Sequence, residues 1–145
     1  MAEEAVNPWG KTADYDYAVA GVLLTTPEGW ILGHHRDGNT PFSTNLVCVF
    51  GGRLETTDKT ALEGAVRELE EETNIRGATV EPFMSYLFKI NGFTEQFNVF
   101  ISYNHTTDGL EIYEGQGYHI VKTPDDPLIA PIIRPVVDKW FSQKS

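Results

Sequence analysis

The sequence contains one cysteine among its 145 residues, so no disulfide bond can form within the chain. Such a cysteine count is typical of a reducing compartment, and we expect the protein in the cytoplasm. Cys48 lies between Val47 and Val49 and is interpreted as a small core residue, with a catalytic thiol as the alternative.

Long apolar runs are also missing. No segment approaches the roughly 20 apolar residues that a helix needs to span a bilayer. The opening segment "MAEEAVNPWG" has neither the basic start nor the apolar stretch of a signal peptide. The sequence therefore predicts no membrane attachment.

Basic residues are scarce, because 11 lysines and arginines face 21 aspartates and glutamates, for a net charge of −10. This balance argues against general binding to nucleic acid or to anionic membranes, since both require basic surfaces. An acidic protein can still act on phosphates if cations carry the contact. The length and a hydrophobic content of 41% predict one domain with its own core.

The order of apolar runs predicts a mixed fold. Residues 1–16 are expected to form an N-terminal arm or an extra strand, and 17–145 a single domain. "DDPLIAPIIRPVVDKWF" closes the chain as a helix that Pro131 and Pro135 interrupt or shift. Asn91-Gly92 is a strong signal for a two-residue hairpin turn. The predicted strands are 17–26, 30–36, 45–50, 78–90, 93–105 and 113–121. This order predicts an α/β (α+β) fold, with a mixed sheet covered by helices on its faces.

A helix is expected after Gly51-Gly52, which is interpreted as the end of the strand 45–50. Thr60 and Glu63 fit a capping box at its start. Asn74 stands where helices often end in a left-handed residue. The predicted buried stripe follows helical spacing and consists of Leu62, Ala65, Val66, Leu69 and Thr73.

Carboxylates crowd the end of this helix. Glu68, Glu71 and Glu72 fall within an arc of roughly 100°, where each like-charge pair costs a few tenths of a kcal/mol and opposes the helix dipole. One interpretation is a solvated acidic face. The other is a site for Mg²⁺, which prefers carboxylates and substrate phosphates as ligands. Gly51-Gly52, coming directly off an apolar strand, favours the site, and Arg67 can tether a carboxylate within it.

The segment "GGRLETTDKTALEGAVRELEEETNI" (51–75) closely resembles the signature of the Nudix hydrolases, G-x5-E-x7-R-E-U-x-E-E-x-G-U, where U is aliphatic. Residues 67–75 follow its second half, with Asn74 in place of the glycine. Gly52 takes the opening glycine, and Glu55 matches the acid of the family's "GGxxE".

The chain departs from this signature in one loop. Counted back from Arg67, the first glutamate of the signature falls on Lys59, because the loop after Gly52 carries one extra residue. Asp58 stands at the expected distance after Gly52 and is the candidate to replace that glutamate. The resemblance implies a Nudix-type α/β/α sandwich.

The resemblance also implies metal-dependent hydrolysis of a nucleoside diphosphate linked to another group X, with Mg²⁺ or Mn²⁺ as cofactor. The cation would offset the charges of protein and substrate and lower the pKa of the attacking water. Its expected ligands are Gly52, Glu68, Glu71 and Glu72.

Four residues are expected to take part in catalysis under this resemblance. Glu114, in "EGQG" (114–117), is similar to a loop glutamate of a bacterial relative that destroys oxidised guanine nucleotides, and a merely exposed loop acid is the alternative. Glu71, Glu72 or Glu114 would accept the proton of the attacking water, and the sequence does not choose among them. Arg67 would fix the geometry of the carboxylates.

Residues that recognise the substrate are harder to identify. Arg36 and Arg53 are candidates to bind phosphate, with an ordinary surface position as the alternative. His34 and His35 are adjacent on a predicted strand, face opposite sides and make a poor metal pair. The candidates to stack on a base are Phe50, Tyr86, Phe88, Phe97 and Tyr118.

The expected substrate is a nucleoside triphosphate, an oxidised one included, that releases pyrophosphate, because the chain is short. The alternative is a nucleotide-sugar or ADP-ribose hydrolase, a homodimer to which residues 1–16 contribute a strand. A non-catalytic nucleotide sensor is the rival from another functional class.

Overall fold

The computed structural model describes residues 14–37 and 45–143. Most of the predicted N-terminal arm, including 1–13, lies outside the described residues. The strands are β1 (Tyr17–Thr25), β2 (Ile31–His35), β3 (Val47–Cys48), β4 (Phe50–Arg53), β5 (Glu81–Ile90), β6 (Phe93–Ser102) and β7 (Tyr118–Val121). The helices are α1 (Ala61–Glu72), a short 3-10 helix (Pro131–Ile133) and α2 (Arg134–Gln143).

All the strands of the described residues belong to one mixed sheet. Its main path is β3-β2-β1-β6-β5, and β4 and β7 pair with β1 and β2, respectively. β1 and β6 run parallel, whereas the other pairs are antiparallel. The hairpin turn predicted at Asn91-Gly92 is confirmed, because both residues have positive φ and Ile90 pairs with Phe93.

Helices cover both faces of the sheet, as the sequence predicts for an α/β/α sandwich. α1 packs on the face that carries Ala20, Val22 and Phe50, where its buried contacts are Ala65 and Leu69. The 3-10 helix and α2 cover the opposite face. The core residues on that second face include Val19, Leu23, Val47, Phe97, Val99, Ile133, Val136 and Val137. The sheet is therefore buried on both sides, which explains the long apolar runs of β1.

The predicted strand 45–50 is wrong in its extent. The chain forms two short strands, and Gly51-Gly52 lies inside β4 instead of ending a strand. β4 pairs antiparallel with β1, from Val22 opposite Phe50 to Val19 opposite Arg53. Glycine is required there because a Cβ on Gly51 would lie 2.3 Å from the backbone oxygen of Ala20.

Two predictions for the C-terminal third also need correction. The strand predicted at 113–121 begins only at Tyr118, because Gly115 and Gly117 have positive φ and form a turn. The closing helix does not begin near 125. It starts at Pro131 with a 3-10 turn and becomes α-helical at Arg134, because proline is tolerated only in the first turn of a helix.

The start of α1 is confirmed, whereas its buried stripe and its end differ from the prediction. Thr60 Oγ1 accepts a hydrogen bond from the Glu63 N–H at 3.1 Å. Of the predicted stripe, Ala65, Leu69 and Thr73 are buried, whereas Leu62 is 40% exposed. The buried face also includes Gly64 and Glu72, and Gly64 packs so closely on Leu54 that a Cβ there would clash with it.

The helix ends without the left-handed residue that Asn74 predicts. Thr73 is extended and bridges Ile112, so the chain leaves α1 directly into a β-type pairing. The Asn74 amide instead donates to the Gly109 carbonyl at 2.8 Å and accepts from the Glu111 N–H at 3.0 Å.

Candidate functional site

The acidic face of α1 is turned towards the glycines of β4. A Cβ at Gly52 would lie 2.7 Å from the carboxylate of Glu68, so any larger residue at this position would displace that side chain. Burial raises the pKa of Glu68, and Arg67 opposes the shift. The rotation of α1 therefore brings a carboxylate, instead of an apolar side chain, against the β4 backbone.

Glu72 is the most deeply buried of the clustered acids, at 5% exposure. Burial, with added repulsion from Glu68 and Glu114, raises the pKa of Glu72 to about 8. Its Oε1 atom has no hydrogen-bond partner within the described residues. A buried carboxylate in this state is costly unless a proton or a cation compensates its charge.

The turn that carries Glu114 is fixed against the end of β2. The Gln116 N–H donates to the His35 carbonyl at 2.8 Å, and the His35 N–H donates to the Gly117 carbonyl at 3.0 Å. Gly115 has a φ of 75°, and a Cβ there would lie 2.7 Å from the His35 carbonyl oxygen. The two glycines of "EGQG" thus allow the turn that brings Glu114 towards α1.

His34 supports this turn from below, a role that its position in the sequence did not reveal. It is 3% exposed and its ring stacks on Phe50 at a centroid distance of 4.8 Å. Its Nε2 lies 2.9 Å from the backbone oxygen of Glu114, and Nδ1 faces Glu72 at 3.9 Å. Burial lowers the pKa of His34, so the ring is neutral and Nε2–H donates. The only available signal was its spacing two residues after Leu32, which places both on the α1 face.

Arg67 connects the loop after β4 with the acidic helix. Its Nε and Nη2 each lie 2.9 Å from an oxygen of Asp58, and Nη1 lies 3.1 Å from both Glu68 and Glu71. Asp58 is 4% exposed, and its hydrogen bonds with Arg67 lower the pKa of its carboxyl group. Asp58 is thus paired with Arg67 while Lys59 is exposed, which agrees with the interpretation of Asp58 as the replacement for the signature's first glutamate.

Most of the residues predicted from the sequence surround one cavity of about 260 Å³. Glu71, Arg67 and Arg53 do not line it, and the Glu71 side chain is 55% exposed and paired with Arg67. Arg36 reaches the cavity, and its buried Nε has no hydrogen-bond partner in the described parts of the chain. The lining consists of His34, Arg36, Asp37, Gly51, Gly52, Glu68, Glu72, Glu114 and Gly115.

A second pocket, of about 310 Å³, lies on the opposite face of the sheet. Arg36, Gly51 and Gly52 line both spaces, so the two adjoin at β4. Arg53 points to the second pocket because it alternates with Gly52 along β4, and its guanidinium lies 3.7 Å from the centre of the Tyr17 ring. The remaining lining residues are Val19, Cys48, Val49, Ile90, Glu95, Phe97 and Ile132.

Among the aromatic candidates, Phe97 lines this pocket and Phe50 is a core residue. The Tyr86 hydroxyl donates to the Ile132 carbonyl, and Tyr118 is exposed. Cys48 also reaches the pocket, but burial raises the pKa of its thiol to about 11. A protonated thiol is a poor nucleophile, which favours the interpretation of Cys48 as a core residue.

The donor set of the first cavity fits a hard divalent cation. Its carboxylate oxygens and backbone carbonyls are the ligands that Mg²⁺ and Mn²⁺ prefer, and the unpartnered Glu72 Oε1 needs a positive partner. No three His, Cys, Asp or Glu side chains among residues 14–37 and 45–143 converge into a ready-made ligand cluster.

Sequence comparison identifies one family. Residues 15–121 match the family model described as the NUDIX domain. No curated protein matches the sequence significantly. No helix in the described parts of the chain has the length and apolarity needed to cross a bilayer.

Solved structures share the fold at low sequence identity. The chain is similar to the MutT protein of Methanosarcina mazei, with 18% identity, a TM-score of 0.76, and coverage of 93% of this chain and 99% of the other. The dihydroneopterin triphosphate pyrophosphohydrolase of E. coli gives 15% identity, a TM-score of 0.70, and coverage of 91% and 99%. An Ap4A hydrolase of C. elegans gives 16%, 0.67, and coverage of 88% and 96%.

Proposed function

The chain belongs to the Nudix hydrolase family, and on that premise we propose that it is a divalent-cation-dependent pyrophosphohydrolase of nucleoside triphosphates, oxidised ones included. In this reaction water attacks a phosphorus of the triphosphate and a P–O–P bridge breaks, which gives pyrophosphate and a nucleoside monophosphate. Family membership covers more than two thirds of the chain, from residue 15 to 121.

One observation supports the proposal, namely that three carboxylates and one arginine line one cavity together with the glycines of β4. Glu68, Glu72 and Glu114 line the same cavity as Arg36 and Gly52. A triphosphate and three carboxylates repel each other in water. The site can bind such a substrate only if cations and Arg36 offset those charges.

The residues proposed to hold Mg²⁺ or Mn²⁺ are Gly52, Glu68, Glu71 and Glu72. When bound, the cation supplies positive charge against the phosphates and acidifies water for attack. Glu72 and Glu114 line the cavity and Glu71 borders it, so each remains a candidate to accept the proton of the attacking water.

Two arginines have different tasks in this proposal. Arg67 has its donors engaged by Asp58, Glu68 and Glu71, so it positions carboxylates and does not bind substrate. The Nε of Arg36 is buried and without a partner, so it is suited to bind a phosphate oxygen.

The nucleoside is proposed to extend from the cavity into the second pocket. Gly52 and Arg36 line both spaces, so a ligand whose phosphates contact them can place its base between Arg53 and Phe97. A volume of about 310 Å³ is at the lower end of the roughly 300–1,000 Å³ of ligand pockets. This size favours one base and sugar over the second large group of a nucleotide sugar or ADP-ribose.

The proposal is tested with the full chain and a panel of substrates. Nucleoside triphosphates, their 8-oxo forms, nucleotide sugars and ADP-ribose are incubated with Mg²⁺ or Mn²⁺, and the products are identified by mass spectrometry. We expect pyrophosphate and a monophosphate. Hydrolysis of nucleotide sugars or ADP-ribose alone would support the alternative substrate class. Ligand-dependent thermal stabilisation without turnover in millimolar Mg²⁺ would identify a sensor instead.

Location and assembly are separate proposals. We propose a cytoplasmic protein, because its one cysteine is a buried free thiol. The net charge of −10 supports small-molecule substrates over nucleic acid. Sedimentation analysis decides between a monomer and a homodimer.

A further inference from the structure

Glu95 is a buried carboxylate in the second pocket that the proposed chemistry does not use. It lies on β6 in the same alternating row as Phe97 and Val99, which belong to the core of the α2 face. Only 7% of Glu95 is exposed, and it lines the pocket. Its carboxylate has no hydrogen bond or ion pair to another described residue, and its oxygens are open to the pocket instead of being enclosed by protein.

The residues that line the pocket leave the Glu95 carboxylate without a protein partner. Val19, Ile90 and Phe97 give the pocket apolar walls, which offer no donor to a carboxylate. Arg53 is the nearest cation to influence it, and its guanidinium is held over the Tyr17 ring instead of being paired with Glu95. Burial raises the pKa of Glu95, and Arg53 opposes this shift. Such a carboxylate is stabilised by a ligand that brings hydrogen-bond donors.

The position of Glu95 relative to the phosphate cavity indicates which part of a ligand it meets. Glu95 lies opposite Tyr17 of β1 in the sheet, whereas Gly52 lies opposite Ala20 of the same strand. Three residues of strand separate these two positions, or about 10 Å at ~3.3 Å per residue. A group that contacts Glu95 is therefore remote from the reacting phosphates, as the base of a nucleotide is.

We propose that Glu95 determines base specificity by accepting two hydrogen bonds from a ring that presents adjacent ring N–H and exocyclic amino donors, the edge found in guanine. The proposal rests on the proposed function for the phosphate end of the ligand. An ionised carboxylate has acceptors only, so it complements an edge with two donors. Adenine and cytosine present an acceptor beside their amino group, and uracil or thymine presents one N–H between two carbonyls. With each of these bases at least one carboxylate oxygen of Glu95 would lack a hydrogen-bond donor.

The same two-donor edge occurs in pterin rings. Guanine and pterin compounds therefore share the recognition chemistry, and binding experiments with both show which of them is the ligand.

The test measures binding, so it does not depend on turnover. Calorimetry with Mg²⁺ compares GDP with IDP, which is identical except that its base lacks the exocyclic amino group. We expect the unmodified protein to bind GDP about tenfold more tightly than IDP, as for one hydrogen bond to a charged group. In Glu95→Ala the ratio should fall to about one. Glu95→Gln keeps the shape and should lose most of the preference, because its amide donor faces a donor of the base.

A matched control is Glu81→Ala, which removes a strand glutamate at the far end of the β5–β6 hairpin. This variant should retain the full preference for GDP. Circular dichroism confirms that each variant is folded. A further arm replaces GDP by neopterin triphosphate, and tight, Glu95-dependent binding of either compound supports the proposal and identifies the source.

Three results would overturn the inference. These are equal binding of GDP and IDP by the unmodified protein, a preference for GDP that persists in Glu95→Ala, or tighter binding of ADP than of GDP. The proposed function can fail on its own. A protein that discriminates GDP from IDP through Glu95 but hydrolyses no nucleotide would contradict the proposed reaction and support the role of Glu95 in base specificity. A protein that hydrolyses triphosphates but shows no preference for GDP that depends on Glu95 would support the proposed reaction and contradict the role of Glu95.

Discussion

Arg67 and Asp58 form a two-pronged ion pair, with Nε and Nη2 of the arginine each 2.9 Å from one carboxylate oxygen. Through this pair the loop after β4 is locked to α1, and the same guanidinium holds Glu68 and Glu71. The geometry of the carboxylate cluster thus depends on a residue outside the helix.

Replacing Asp58 by asparagine should lower both stability and activity. Asp58→Asn removes a charged partner from Arg67, and we expect a loss of about 1.5–3 kcal/mol in the free energy of unfolding at pH 7. A drop in kcat should accompany it, because Glu68 and Glu71 lose their tether. Urea denaturation and steady-state kinetics measure the two effects, with the exposed Asp108→Asn as the control. Unchanged kcat in a destabilised variant would contradict the positioning role.

The stabilisation by Asp58 should depend on pH in a defined direction. Its pKa is lowered in the folded protein by Arg67, so the folded state binds fewer protons than the unfolded chain around the ordinary pKa of 3.8. The contribution is therefore complete above about pH 4 and is lost as the pH falls through the folded-state pKa. The difference in unfolding free energy between the unmodified protein and Asp58→Asn should shrink on acidification below that point. A difference that grows would contradict the assignment.

Glu72→Gln should stabilise the metal-free protein and abolish its response to metal. Above about pH 8, where Glu72 is ionised in the metal-free protein, the substitution removes a buried charge that lacks a partner at Oε1 and is repelled by Glu68 and Glu114. We expect a higher melting temperature in chelator, no further increase with Mg²⁺ or Mn²⁺, and a loss of kcat by orders of magnitude. Glu70→Gln, a glutamate of α1 that does not line the cavity, serves as the control. A lower melting temperature in chelator would contradict this interpretation.

Gly51→Ala and Gly52→Ala should have different effects although the two residues are neighbours, the first on stability and the second on activity. The new methyl group at position 51 would meet backbone atoms of Ala20 and Gly21, so we expect loss of stability. At position 52 it would meet only the end of the Glu68 side chain, which can move. That variant should stay folded but lose up to about 100-fold in kcat, as misplacement by 1 Å can cost. Thermal melts and kinetics on both variants separate the effects, and equal melting temperatures would contradict the distinction.

Gly115→Ala should reduce activity more than Gly109→Ala. Both glycines have positive φ, so both alanine variants carry about 1–2 kcal/mol of backbone strain. Only at Gly115 does the added methyl group also press on His34 and His35, which support the Glu114 turn. We expect a lower melting temperature for Gly115→Ala than for Gly109→Ala and, at a temperature where both variants are folded, a kcat lowered at least tenfold only for Gly115→Ala. Equal activities would show that the position of this turn does not affect catalysis.

Sequence patterns predicted the parts of this fold that short-range chemistry determines. The cap at Thr60 and the turn at Asn91-Gly92 depend on a few adjacent residues, and both are confirmed. The interpretation of Asp58 as the replacement for the signature's glutamate agrees with its pairing to Arg67.

Features that depend on distant contacts could not be predicted. The buried face of α1 follows its contact with β4, which rotates it towards Glu72, while hydrophobic spacing alone pointed to Leu62. Glu95 lies in a polar stretch of sequence, and only the sheet shows that it is buried in a pocket. The roles of the individual carboxylates and arginines stay predictions until the variants above are measured.

The alternation along β4 restricts where this chain tolerates changes in length. Gly52 faces Glu68 and Arg53 lines the second pocket, so an insertion or deletion within β4 would exchange the two positions and disrupt both spaces at once. The extra residue relative to the family signature lies after Arg53, in a loop whose length does not alter the strand register. Homologous chains should therefore differ in length between Asp58 and α1, and keep β4 free of indels.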